Sequence, residues 1–128
     1  LGLKNVIELM YGKESLSRMA PLRTLREKGI PFHIEGSNPG NRGIDYPMWH
    51  VYKAVTRIDQ DGVLIAPEQA IDRKTAILGL TRWTARYVGA LDELGSIEPG
   101  KLADLVIFDG NILEDPIEKV RDTLPVMT

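Results

Sequence analysis

The feature that most limits how this chain can fold is the apolar run from Leu105 to Phe108, which no polar residue interrupts. Together with Ala103 it predicts a strand buried on both faces, because a half-exposed strand alternates polar and apolar side chains. The Pro99-Gly100 pair before it suits the central positions of a type II turn. By contrast, residues Phe32 to Glu35 do alternate with period two, which predicts a half-exposed strand.

Elsewhere the apolar residues recur with the period of an α-helix. Asp72 is a good N-cap for the longest of these segments, and Gly89 suits its end. The order of elements changes near residue 90, where helices give way to a β-rich tail, so we place a boundary there. Helices are predicted over Asn5 to Tyr11, Pro21 to Lys28, Asp45 to Val55, Asp72 to Val88 and Asp115 to Val120, and a further strand over Leu124 to Thr128.

Length and composition exclude several classes of protein. The scaling of surface with mass gives roughly 20,700 Å² for the unfolded chain and roughly 6,800 Å² for a compact globule, enough burial for one core. The net charge of −2 lacks the basic excess of a nucleic-acid-binding protein. The absence of cysteine excludes a disulfide scaffold and a thiolate zinc site. No apolar stretch is long enough for a membrane helix.

His33 and Glu35 are the candidate site residues that the pattern itself indicates. They share one face of the predicted strand, which ends in the glycine-rich loop Gly36 to Gly43. If that face lines the mouth of a barrel, both belong to a site, and if it meets a neighbouring domain they are surface polar residues. His50 lies within a predicted helix and has no second histidine at the spacing of a metal motif.

Two other patterns resemble a calcium-binding loop and a phosphate-binding loop, but each lacks a residue that such a site needs. The acidic loop around Asp61-Gly62 has the spacing of part of a calcium loop, but Arg57 stands at the first ligand position, where a carboxylate is needed. The loop from Gly36 to Gly43 lacks the G-K-[ST] ending of a phosphate-binding loop. Both segments are therefore interpreted as loops.

The run from Leu94 to Asp109 resembles the C-terminal signature of metal-dependent amidohydrolases. Segments Arg18 to Arg23, Ala54 to Arg57 and Asp72 to Val88 agree with it in order, and the branch is similar to the N-substituted formamide deformylases of amidohydrolase family 3. The resemblance implies an α/β fold: the C-terminal portion of a (β/α)₈ TIM-type barrel plus part of a small, composite β-sandwich. Residues 1–90 would hold the eighth barrel strand and its flanking helices, and residues 91–128 the sandwich part.

The same resemblance implies hydrolysis of a C–N bond in a small non-peptide amide by one or two divalent metal ions, usually zinc. The family spells the end of the eighth strand Gly-Ser-Asp-x-Pro, whereas this chain has Asn38 at the position of the metal-binding aspartate. An amide cannot take up a proton at neutral pH and binds zinc poorly. Three explanations stay open. In the first, the register differs and Glu35, with His33 nearby, is the carboxylate. The second is an inactive or altered homologue, and the third is an engineered or misread residue.

We therefore expect a C-terminal piece of a cytoplasmic amidohydrolase, with the histidine ligands upstream of Leu1, so that the chain alone is inactive and holds no metal. The alternative is a non-catalytic binding or interaction module that has lost the eighth-strand aspartate. The expected partner is a small-molecule amide, with neither nucleic acid nor membrane. Self-association is also expected, because the helices at Met48 and Asp72 would expose broad apolar faces.

Overall fold

Helices dominate the computed structural model, which describes residues 3–35 and 47–128. None of the described helices has the length and apolar character needed to cross a membrane. Short 3₁₀ helices occupy Lys13–Arg18 and Pro67–Gln69. The α-helices are α1 (Leu3–Tyr11), α2 (Leu22–Glu27), α3 (Pro47–Thr56), α4 (Arg73–Leu80), α5 (Arg82–Tyr87) and α6 (Ile117–Asp122), and the strands are β1 (Ile107–Phe108) and β2 (Pro125–Met127).

Helix α3 forms the centre of the core. Its residues Met48, Val51 and Ala54 are buried at helical spacing, as predicted, and they pack against Ala76 of α4 and Val120 of α6. Tyr87 and Val88, at the end of the helix predicted from Asp72, are 70% and 62% exposed, but for α3 and the start of α4 the expectation of exposed apolar faces is wrong. These faces cover each other, and α6 closes the other side of α3.

The predicted helix from Asp72 to Val88 is divided into α4 and α5 by a bend at Thr81, where φ is −118° and ψ is −91°. The Thr81 hydroxyl donates to the carbonyl of Ile77 at 2.9 Å, and the Thr84 hydroxyl donates to that of Gly79 at 2.6 Å. Side-chain donors that compete for helix carbonyls in this way bend helices. The predicted N-cap is confirmed, since Asp72 Oδ1 accepts the Thr75 N–H at 2.9 Å.

The predicted strand from Phe32 to Glu35 is not formed in the described structure, where these residues have no regular secondary structure. A strand needs a neighbouring strand for its backbone hydrogen bonds, and the described part of the chain places none beside this segment. The Ile34 N–H instead donates to the carbonyl of Gly79 in α4, at 3.0 Å.

The predicted strand from Ala103 to Phe108 is shorter and more exposed than expected. Only Ile107 and Phe108 pair with β2, in an antiparallel two-stranded sheet. Leu105, Val106 and Ile107 are about half exposed, Ile107 by 51%, so the prediction of burial on both faces is wrong. The described residues supply one neighbouring strand, and within the run Leu105 to Phe108 only Phe108 packs against the helical core.

Gly95 and Lys101 give the segment after α5 its shape. Gly95 has φ +85°, and a Cβ built on it would lie 2.6 Å from Ala85 Cβ, so only glycine fits against α5 here. Lys101 Nζ donates to the Leu91 carbonyl at 2.6 Å and to Ser96 Oγ at 2.8 Å. The predicted type II turn is confirmed, because Gly100 has φ +90° and the Lys101 N–H donates to the Glu98 carbonyl at 3.2 Å.

Arg57 joins three segments through a buried guanidinium group. Its Nη2 donates to the carbonyl of Met19 at 2.8 Å, its Nη1 to that of Ala20 at 3.4 Å, and its Nε to that of Ile65 at 3.1 Å. Burial lowers the pKa of this guanidinium, and the charge of Glu68 opposes that shift. Arg57 thus connects the segment before α2 to the loop after α3.

The Lys101 contacts predict a measurable cost for removing its ammonium group. Replacing Lys101→Met leaves a carbonyl and a hydroxyl without their donor in a part-buried loop, at a cost of about 1–3 kcal/mol in the free energy of unfolding. Urea denaturation measures this cost, and Lys119→Met is the matched control because Lys119 is 61% exposed in its ion pair with Asp115. Equal effects of the two substitutions would contradict the assignment.

The cap on α4 predicts a pH-dependent stability. Burial opposes ionisation of Asp72, but hydrogen bonds from the Thr75 hydroxyl and N–H, with the charge of Arg26, hold the pKa of Asp72 below its usual value. Its stabilisation is therefore complete above the pKa of the unfolded chain and is lost as the pH falls through the folded-state pKa.

We expect Asp72→Ala to lower the free energy of unfolding at neutral pH by about 1 kcal/mol. The difference from the wild type should shrink in acid. Asp72→Asn keeps the cap acceptor without the charge, so its difference from Asp72→Ala should not vary with pH. Denaturation across the acidic range measures both, and a constant gap between wild type and Asp72→Ala would refute the charged cap.

Candidate functional site

The residues before the glycine-rich loop are held against α4 at Gly79. Besides accepting the Ile34 N–H, Gly79 lets this segment approach closely, because a Cβ on Gly79 would lie 3.0 Å from two side-chain carbons of Ile34. A contact this short is tighter than ordinary van der Waals packing. The sequence therefore uses glycine within α4, despite its cost to the helix, to bring the segment onto the helix surface.

Helix α5 contributes two aromatic rings to the same segment. Trp83 contacts Phe32 edge to face, with ring centroids 5.0 Å apart and an interplanar angle of 72°. Tyr87, one helical turn later, stacks on the His33 imidazole with centroids 4.1 Å apart and an angle of 20°. Aromatic pairs at such distances stabilise a structure beyond the area that they bury. Successive residues 32, 33 and 34 are each fixed by a different residue of α4 or α5.

The structure brings together His33 and Glu35, the two site residues that the alternating pattern indicated. Glu35 Oε2 lies 3.9 Å from His33 Nδ1, and the side chains are 70% and 26% exposed respectively. This distance exceeds that of a hydrogen bond, so the interaction is electrostatic. An imidazole and a carboxylate can each accept and release a proton, but at this separation none passes directly between them.

Asn38, the third predicted site residue, lies outside the described residues, as does most of the junction from Glu35 to Gly40. His50 lies on α3, where its side chain is half-buried. Within residues 3–35 and 47–128, no group of three or more histidine, aspartate or glutamate side chains is arranged to hold a metal ion. The residues described here therefore do not by themselves fit a metal centre.

The carboxylate of Asp59 accepts hydrogen bonds from the backbone of its own loop. Its Oδ1 accepts the N–H groups of Asp61 and Val63 at 2.9 and 2.8 Å, which closes the loop that imitated a calcium site. This is an Asx-type turn.

A cavity of about 730 Å³ lies between the α4–α5 pair and the segment that leads to β1. Its size is that of a ligand pocket, but aliphatic side chains form most of its wall. Among its described lining residues, Asp104 is the one with a charged side chain, and His33 and Glu35 do not belong to the lining. The residues that can transfer protons therefore lie apart from the cavity in the described structure, and we place the candidate site at His33 and Glu35.

Sequence reasoning missed the residues of α5 that hold this site. Trp83 and Tyr87 belong to the apolar residues that recur with helical period between Asp72 and Val88, and this spacing predicts only that they lie on an apolar helix face. Gly79, Trp83 and Tyr87 follow one another at intervals of four residues. In a continuous helix this interval would place all three on the same face of the helix. That interval does not reveal what they contact.

Comparisons with known proteins agree with the signature. The family model described as "Amidohydrolase family" matches residues 4–128. An imidazolonepropionase of Caulobacter sp. (strain K31) is 30% identical over 105 residues, 81% of this chain and 23% of the relative. A 5-methylthioadenosine/S-adenosylhomocysteine deaminase of Thermodesulfovibrio yellowstonii is 29% identical over 106 residues, 83% of this chain and 23% of the relative.

An N-substituted formamide deformylase of Arthrobacter pascens is 28% identical over 101 residues, 79% of this chain and 18% of the relative. The chain thus spans about a quarter or less of the length of these curated relatives. No solved structure matches it. Since the family model covers nearly every residue of the sequence, the chain belongs to the amidohydrolase family.

Proposed function

We propose that this chain is the C-terminal part of a metal-dependent hydrolase that cleaves a non-peptide C–N bond in a small molecule. The observation that carries the proposal is the family match over residues 4–128. The names of the similar deaminase and formamide deformylase both describe the breaking of a carbon–nitrogen bond. A cytoplasmic location belongs to the same proposal.

The proposed architecture follows the family resemblance. Residues 1–90 correspond to the end of a (β/α)₈ barrel, with the eighth strand at residues 32–35, and residues 91–128 to part of a β-sandwich. A regular strand at residues 32–35 requires a neighbouring barrel strand, and the half-exposed apolar run before β1 requires a second layer of sheet. Both requirements support a longer polypeptide.

In the proposed reaction, residues of this chain handle protons. His33, with Glu35 beside it, accepts a proton from the attacking water and returns it to the leaving nitrogen. A divalent metal ion, zinc in the resemblance, supplies polarisation of the carbonyl when bound. The described residues contribute no complete ligand set, so we assign the remaining ligands to the rest of the full-length protein and expect the isolated chain to be inactive.

Asn38 decides between this function and the second candidate, a non-catalytic binding module. The family has an aspartate there, and an amide cannot accept a proton. We expect Asn38→Asp in the full-length protein to raise the rate of hydrolysis of an N-substituted formamide by on the order of 10²-fold. The amount of zinc that the protein binds should rise as well. Initial rates and metal analysis measure both.

Asn41→Asp is the matched control, since it adds the same charge to the same loop. Absence of both hydrolysis and bound zinc in the full-length wild type and in Asn38→Asp alike would favour the binding module. Equal activation by the two substitutions would show that loop charge, and not the carboxylate at position 38, governs the rate.

Self-association of the isolated chain is a further part of the proposal. The accessible surface is 8653 Å², against roughly 6,800 Å² for a compact monomer of this mass. Ile107, Val126 and Met127 are more than half exposed and lie at the open edges of a two-stranded sheet. This location differs from the helix faces named by the sequence.

We expect light scattering to detect oligomers of the chain, and Val126→Lys to reduce their fraction, because charge on an edge strand opposes pairing. Leu9→Lys is the control, since Leu9 is also exposed but lies on α1, away from the sheet. A monodisperse wild-type monomer would contradict this part of the proposal.

A further inference from the structure

We propose that Tyr87 and Glu35 are positioning residues that hold the His33 imidazole in one orientation and one tautomer, with Nε2 as the proton-accepting nitrogen. The inference rests on the proposed function, because it assigns His33 to the hydrolytic site. The observations that carry it are the stacking of Tyr87 on His33 and the placement of Glu35 Oε2 near Nδ1.

The orientation of the imidazole follows from three neighbouring contacts. Trp83 fixes Phe32 and the Gly79 carbonyl fixes Ile34, so the backbone on both sides of His33 is held against α4 and α5. The Tyr87 ring lies nearly parallel to the imidazole, at 20°. Rotating the imidazole out of this plane would lose the stacked contact, so the plane of the ring is fixed. Of the two flipped positions in that plane, the one with Nδ1 towards the Glu35 carboxylate is the one observed.

The tautomer follows from the charge next to the ring. In the neutral imidazole only one of the two nitrogens carries the proton, and the group next to the ring usually decides which nitrogen that is. Glu35 Oε2 is 3.9 Å from Nδ1, so its charge favours the proton on Nδ1 and leaves Nε2 free to accept one. Because Glu35 is exposed and its charge is screened by solvent, the preference depends on Tyr87 keeping Nδ1 directed at the carboxylate.

The exposure of Tyr87 distinguishes this role from ordinary packing. Its side chain is 70% exposed although one face of its ring is stacked, so it contributes little to the buried core. A partly exposed imidazole on a largely exposed tyrosine is accessible to a small molecule, whereas the neighbouring Phe32–Trp83 contact lies at the edge of the core. The His33–Tyr87 pair is therefore suited to a role in the reaction, and the Phe32–Trp83 pair to holding the segment against α5.

The test is nuclear magnetic resonance of the 128-residue chain with ¹⁵N-labelled histidine, at mildly alkaline pH. The chain has two histidines, so His50 on α3 is an internal reference. In the wild type we expect His33 to carry its proton on Nδ1, and its ring protons to be shifted by the Tyr87 ring current. Tyr87→Phe should keep both properties, because phenylalanine stacks equally well.

Tyr87→Leu should abolish the ring-current shift and mix the tautomers, while Glu35→Gln should change the tautomer and leave the shift unaltered. Tyr11→Leu is the matched control, since Tyr11 is 66% exposed and has no ring contact among the described residues. Thermal unfolding verifies that each variant is folded. Even if Tyr87→Leu does not fold, the Glu35→Gln and Tyr87→Phe spectra still decide the question.

Unchanged His33 resonances in a folded Tyr87→Leu variant would overturn the proposal, as would a wild-type proton on Nε2. The kinetic consequence is separate: in the full-length protein, Tyr87→Leu should lower kcat for an N-substituted formamide on the order of tenfold at constant KM, and Tyr87→Phe should restore it. The expected spectra without hydrolysis by any variant would support the positioning role and contradict the proposed function.

Discussion

The bend between α4 and α5 is the constraint on which the rest of the described structure depends. Hydroxyl groups of Thr81 and Thr84 hold the carbonyls of Ile77 and Gly79 at this bend. The Gly79 carbonyl also accepts the Ile34 N–H, which fixes the segment that carries His33. On another side, Gly95 packs against Ala85 of α5. The candidate site and the family signature are therefore attached to the same pair of helices.

The most recognisable residues of the sequence have structural roles. Gly95 permits close approach to α5, Gly100 forms a turn, and Lys101 ties the loop between them to the carbonyl of Leu91. These roles explain why the signature identifies the family without identifying a reaction. The groups that can transfer protons, His33 and Glu35, lie instead in a short segment whose sequence is unremarkable apart from its alternation.

Local signals in the sequence predicted where the helices lie, because caps act within a few residues, but they did not predict the bend at Thr81 that divides α4 from α5. Asp72 and Gly100 behave as their residue types require. The strand predicted over Leu124 to Thr128 is confirmed by β2. The other two were predicted poorly, since a strand exists only with a partner, and the pattern at residues 32–35 and 103–106 does not specify one. The sequence also indicated His33 and Glu35 as a pair, but the stacking of Tyr87 on His33 joins distant segments and has no local signal.

The hydrogen bond from the Ile34 N–H to the Gly79 carbonyl is the most direct point at which to test this account, because it is the one backbone link described between the site segment and α4. Amide hydrogen exchange at Ile34 measures it. The account predicts that this amide exchanges as slowly as the amides within α4, in contrast to its exposed neighbours. Exchange at the rate of an unstructured peptide would contradict the docking of the site on α4 and α5.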